Sequence, residues 1–119
     1  NRGKFELIVT IVNKNTSKTI LQASKQAGAE GGTVVYGRGT GIRETQTLLG
    51  IPIEPEKEIV LTIVPQDITE QVQEAIIRAG GLDHPGAGIL FVVDMKNVAG
   101  ICHLCLEGTG QSLQDTSEE

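Results

Sequence analysis

Four runs of apolar, largely β-branched residues punctuate the chain: 5–12 (FELIVTIV), 33–36 (TVVY), 58–64 (EIVLTIV) and 89–93 (ILFVV). Near-continuous apolar stretches of this length predict strands with both faces covered. Two segments of helical period lie between them. In the first, Ile20, Leu21, Ala23 and Ala27 recur at helical spacing, while Lys18, Gln22, Lys25 and Gln26 face outward. Thr16 or Ser17 is placed to cap its start and Gly28 to end it. In the second, Ile68, Val72, Ala75, Ile76 and Ala79 form the apolar face, opposite Glu70, Gln71, Gln73, Glu74 and Arg78. Asp67 or Thr69 opens that helix and Gly80-Gly81 closes it. Pro65 stops the third strand, because it brings no N–H to a ladder. A further strand is expected within 98–106. Residues 107–119 are polar and acidic, with almost nothing to bury, and read as a disordered tail.

The order strand, helix, strand, strand, helix, strand predicts an α+β, ferredoxin-like βαββαβ sandwich over residues 4–106. Right-handed crossovers place both helices on one face of an antiparallel sheet. The strands carry apolar side chains toward both faces, and no further helix exists to cover the second. Self-association is the expected solution.

Between the second and third strands, residues 37–58 make a connection much longer than a hairpin loop of about 2–5 residues. Its front carries Gly37, Gly39 and Gly41, which let backbone approach a ligand closely. The remainder holds Arg43 and Glu44 and an apolar run, Leu48, Leu49, Ile51 and Ile53, closed by Pro52 and Pro55. This divides the loop into a backbone hinge at 37–41 and a partner-facing arm at 43–55; packing of the apolar run against the protein itself is the plainer alternative. A second glycine segment, Pro85-Gly86-Ala87-Gly88, precedes the last strand. Two such segments beside strand ends can present N–H groups to an anion or nucleotide, although tight turns use glycine without a ligand. Neither is a Walker loop, since no Gly-Lys-Ser/Thr follows.

Composition narrows the function classes. With two Phe, one Tyr and no Trp, the core must be aliphatic. A formal charge of −5 argues against a nucleic-acid surface, which wants a basic stripe. An RNA-binding sheet would also need exposed aromatics, and Phe5 and Phe91 are the only candidates. No run approaches the roughly 18 apolar residues of a membrane helix, so direct membrane insertion is not expected. No signal peptide is evident, and two cysteines make no disulfide framework, which points to the cytoplasm.

Cys102-His103-Leu104-Cys105 has the spacing of a zinc or redox motif. On a strand, residues three apart point to opposite faces, so inert, half-buried thiols are the favoured reading. Asp67, Asp94, Glu44 and His84 are scattered and form no nucleophile, base or paired-carboxylate pattern, so no enzyme is expected.

With both glycine segments placed, the chain resembles the PII family of nitrogen-regulatory signalling proteins. The likeness runs from Lys4 to His103. It rests on Ala27-Gly28, on Gly31-Gly32-Thr33-Val34 leading to Gly39-Thr40-Gly41, on Ile63-Val64-Pro65-Gln66-Asp67-Ile68, and on Gly86-Ala87-Gly88 running into Ile89-Leu90-Phe91-Val92-Val93-Asp94. The resemblance implies a homotrimer with a nucleotide in each cleft between subunits. It also implies a protruding loop, here 37–58, that changes shape with the ligand and engages a target transporter or enzyme. Carried over by position, the cleft is lined by Ile11, Thr33, Gly39, Thr40, Gly41, Ile63, Gly86, Ala87 and Gly88.

The chain departs from the family pattern in charge. Members place Arg and Gln directly after the Gly-x-Gly, where this chain has Ile42 and Arg43. They place a lysine at Ile89 and arginines at Gly100 and Cys102. The backbone cradle is therefore kept while most of the cations facing a polyphosphate are gone, with Arg38 and Arg43 restoring part of the charge. The loop is also shorter than is usual in the family, and Leu49 and Gly50 stand where some members carry a modifiable tyrosine. The expectation is a trimeric regulator sensing ADP, AMP, ATP or a small anion. Alternatives are a metal-responsive trimer using Cys102, His103 and Cys105, or a docking module without a ligand.

Overall fold

The computed structural model describes residues 4–40, 47–52 and 54–100. In chain order its elements are β1 (Phe5–Asn13), α1 (Ser17–Gln26), β2 (Thr33–Arg38), the short strands β3 (Thr47–Leu48) and β4 (Ile51–Pro52), β5 (Glu56–Pro65), a 3-10 turn (Gln66–Ile68), α2 (Thr69–Gly80) and β6 (Gly88–Met95). The main sheet runs β2-β5-β1-β6 and every neighbouring pair is antiparallel. The first apolar run, β1, is central, as its doubly apolar character requires. Both helices cross one face, so this is the ferredoxin-like sandwich. Residues 98–100 carry no strand, and the rest of the expected strand, Cys102 to Leu106, lies outside the described residues together with the acidic tail.

Ladder register assigns each strand residue to a face. Toward the helices point Ile8 and Val12 of β1, Val60 and Val64 of β5, and Leu90 and Val92 of β6. They pack with Ile20 of α1 and with Val72 and Ile76 of α2 into one aliphatic core. The opposite face carries Leu7, Val9 and Ile11, then Ile59, Leu61 and Ile63, then Ile89, Phe91 and Val93, with Val35 at the β2 edge. No described helix packs there.

Two threonines interrupt the core. Thr10 stands opposite Val60 and Thr62 opposite Ile8, so they are diagonal neighbours on the helix side. Both are fully buried, and neither hydroxyl has a hydrogen-bond partner among the described residues. An unpaired buried hydroxyl costs about 1–3 kcal/mol, while a methyl of the same shape costs nothing to desolvate. Thr62→Val is therefore expected to raise stability by about 1 kcal/mol, read from the urea midpoint at unchanged m-value.

The start of α1 is capped from a distance. Thr16 is the N-cap residue but makes no side-chain cap bond, and Ser17 is already the first residue of the helix. Instead Glu58, on β5 and only 6% exposed, accepts the backbone N–H groups of Thr16 at 3.1 Å and Ser17 at 2.8 Å. A carboxylate there satisfies orphan donors and complements the positive end of the helix. The Ser17 N–H, then that of Asn15, holds the Glu58 carboxyl below its ordinary value of 4.5, against the opposing effect of burial. A depressed folded-state pKa gives stability that is complete above the unfolded value and is lost as pH falls through the folded one. Glu58→Gln is thus expected to cost about 1–2 kcal/mol at pH 7. The gap from wild type should shrink below pH 4.5, which paired urea titrations at pH 7 and pH 3 would measure.

Candidate functional site

The long connection is more structured at its base than its glycines suggest. Gly37 and Arg38 belong to the β2–β5 ladder, opposite Lys57 and Glu56. Gly37 and Arg38, read from the sequence as the front of a hinge at 37–41, are therefore paired strand residues, and Gly39 donates its N–H to the Pro55 carbonyl at 3.2 Å. Between residues 39 and 55, β3 and β4 form a small hairpin whose two turn residues, Leu49 and Gly50, both have positive φ. Such turns match the twist of the flanking strands and favour Gly and Asn, so a leucine at φ 54 is unusual. Its side chain is 93% exposed, and Ile51 beside it is 65% exposed. The apolar arm presents these two residues outward. Ile53, Gly41 and Arg43 fall outside the described residues.

Of the sequence-derived cleft residues, one group gathers at the loop end of the sheet. Arg38 ends β2 and Gly39 follows it, while Gly86 and Ala87 lead into β6, which begins at Gly88. Ile11 lies near the same end, opposite Ile59 and Ile89. Two strands, β5 and β1, separate the glycine segments, a span of about 14 Å at the usual spacing. The second group is elsewhere. Thr33 stands opposite Leu61, and Ile63 opposite Leu7. Ile63 is four residues along β5 from Ile59, about 13 Å at strand rise. All three strand side chains, Ile11, Thr33 and Ile63, belong to the face away from the helices. Thr40 is exposed beyond the ladder.

The sequence reading missed the floor between the glycine segments. Asn13, Lys57 and Gly37 form a rung across β1, β5 and β2, one step beyond the start of β6 at Gly88. Lys57 Nζ donates to Asn13 Oδ1 at 2.7 Å, and Asn13 Nδ2 donates to the Gly86 carbonyl at 3.2 Å. A cation therefore stands between two segments from which the resemblance had removed charge. The signal available in the sequence was the lysine two residues before the apolar part of β5, but only pairing places it beside Asn13.

A cleft of about 520 Å³ opens at this end, between the β1–α1 turn and the loop stem. Its charged walls are Lys14, Arg38, Glu56, Lys57 and Glu58. Glu56 bridges Lys14 at 3.1 Å and Arg38 at 4.0 Å, while Glu58 is engaged by the α1 N-terminus. The two carboxylates are thus taken up by internal contacts, and the cleft braces the stem. Arg38 is the one residue it shares with the sequence-derived set. Cys102, His103 and Cys105 lie outside the described residues. Among the described residues no group of three His, Cys, Asp or Glu side chains is arranged to hold a metal, and no helix is long and apolar enough to cross a membrane.

Comparison with known proteins agrees with this architecture. Over 84% of its length the chain superposes on 85% of a PII protein of Arabidopsis thaliana solved with citrate, at TM-score 0.65 and 24% identity. Over 86% it superposes on 91% of GlnK of B. subtilis solved with ATP, at TM-score 0.66 and 20% identity. At these identities the likeness is one of fold. No curated protein matches by sequence. The model of the nitrogen regulatory protein P-II family matches residues 5–103, nearly the whole described chain. The chain therefore belongs to the P-II family of regulatory signalling proteins.

Proposed function

We propose that this P-II protein works as a homotrimer that binds a small anionic effector between subunits and reports it through the 39–55 loop. The observation that carries the reading is that Ile11, Thr33 and Ile63 share an apolar face on which no described helix packs, with Thr33 and Ile63 parted from the glycine segments. Within a single protomer, Thr33 and Ile63 are displaced from the glycine segments along the strands. When that face packs on a copy of itself, the displaced pair of one protomer can meet the glycine segments of its neighbour. The apolar residues 7, 9, 11, 59, 61, 63, 89, 91 and 93 supply the reason to assemble.

The effector we favour is an adenine nucleotide, in keeping with the ATP bound by the B. subtilis relative. Backbone N–H groups of Thr40, Gly86 and Gly88 would cradle its phosphates, with Gly41 continuing the first segment, while those of Gly39 and Ala87, which donate to the Pro55 and His84 carbonyls, would be ordered beside it. Lys57 stands between the two segments, and Arg38 and Arg43 flank the first in sequence; Arg38 would exchange its 4.0 Å pairing with Glu56 for phosphate. With Ile89, Gly100 and Cys102 in the positions that are basic in the family, ADP or AMP suits the charge better than ATP. The exposed Leu49 and Ile51 are then the contact made with a target transporter or enzyme, and effector binding selects among loop conformations.

Calorimetry with ATP, ADP, AMP and citrate tests this. We expect one adenine nucleotide per chain, with ADP or AMP bound at least as tightly as ATP. Lys57→Ala should weaken binding about tenfold, the loss of a charge-assisted hydrogen bond. Absence of heat with all three nucleotides on the assembled protein would defeat the nucleotide reading.

A further inference from the structure

The carboxamide of Asn13 uses both of its ends at once. Its oxygen accepts from the Lys57 ammonium at 2.7 Å and its nitrogen donates to the Gly86 carbonyl at 3.2 Å. Those partners belong to different parts of the chain: Lys57 lies in the stem of the 39–55 loop, and Gly86 in the glycine turn before β6. The turn is held lightly around Gly86, whose φ is +81 and beside which an added Cβ would meet no heavy atom within 4 Å. The stem, by contrast, is zipped through Gly37–Lys57 and Arg38–Glu56 and closed by the Gly39–Pro55 bond. A rotation of the Gly86–Ala87 peptide therefore draws on Asn13, and on the 3.3 Å bond from the Ala87 N–H to the His84 carbonyl, before it draws on packing.

We propose that Asn13 is a positioning residue that couples the glycine turn at 86–88 to the loop stem through Lys57. The chemistry selects asparagine. An ammonium needs an acceptor and a carbonyl needs a donor, and no other group of this length supplies both in one plane. Aspartate would keep Lys57 but set a carboxylate oxygen against the Gly86 carbonyl. Alanine would release both. When an anion organises the N–H groups of the turn, the Gly86 carbonyl turns with them. The amide follows, and the ammonium shifts on the rung next to the stem. The direction of this signal rests on the effector reading above; the mechanical link does not.

Amide hydrogen exchange on the full chain, with and without saturating ADP, tests the proposal on wild type, Asn13→Ala, Asn13→Asp and the control Lys25→Ala on the exposed side of α1. In wild type, ADP should slow exchange at Ala87 and Gly39 together. In both Asn13 variants ADP should still bind within about threefold and slow Ala87, while the slowing at Gly39 falls at least about fivefold. Lys25→Ala should behave as wild type. Undiminished slowing at Gly39 in Asn13→Ala overturns the coupling. If ADP fails to bind wild type, the nucleotide reading falls and the link is judged in the free protein. There, Asn13→Ala must speed exchange at both Ala87 and Gly39 with the core amides of Ile8 and Val60 unchanged. Speeding at only one of them, at neither, or at all four alike overturns it.

Discussion

Phe91→Asp is expected to leave the protein monomeric and folded. Phe91 is 44% exposed in the single chain, in line with Val9 and Leu61 across the sheet, and is flanked on its strand by Ile89 and Val93 on the same face. None of these side chains belongs to the core beneath the helices, so the change spares the protomer's own packing. In an assembly built on this face, each Asp would be buried in apolar surroundings without a partner. That costs several kcal/mol per copy, more than one side chain's contribution to an interface can absorb. Sedimentation equilibrium should show the mass falling to one third, with the far-ultraviolet spectrum retained. An assembly that survives the charge would show that some other surface holds the subunits.

The second large effect is expected at Gly88. A Cβ there would lie 2.5 Å from the Ile11 carbonyl oxygen, 3.1 Å from Leu82 Cδ2 and 3.1 Å from Val12 Cγ1, at a φ of +148. The nearest of these is backbone in a central strand and cannot swing away. Gly88→Ala should therefore cost about 3 kcal/mol, combining overpacking with an unfavourable backbone region. Gly86→Ala, at a positive φ but in open space, should cost only about 1 kcal/mol. Urea unfolding of the two variants separates them. Equal losses would mean that close approach to β1 is not what Gly88 is for. Two glycines that look alike in the sequence thus have different reasons: Gly88 lets β6 begin against β1, and Gly86 supplies a positive φ in an open turn.

Much of the fold was legible because apolar period is a local property. The doubly apolar runs at 5–12 and 58–64 marked the two central strands, and the glycines after each helical face marked its end. Strand ends were less legible. β2 continues through Gly37 and Arg38, and β5 begins at Glu56, because pairing between stems overrides the weak strand preference of Gly, Arg and Glu. The hairpin in the loop was also not foreseen, since a leucine stands where its turn favours asparagine. Capping misled for a similar reason. Thr16 and Ser17 have suitable side chains, but Glu58 reaches the same N–H groups from a strand more than 40 residues away.

By itself the sequence determined the kind of elements, their order, the aliphatic core and the family. These follow from side-chain period and from motifs that survive divergence. Only the tertiary structure decided what lies beside what. It set Lys57 and Asn13 on one rung between the two glycine segments, withdrew Glu56 and Glu58 into internal contacts, and parted Thr33 and Ile63 from the residues with which they were expected to line a cleft. The physical reason is that a hydrogen bond or ion pair depends on a few ångströms of separation. That separation is set by strand register, which no single segment of the chain contains.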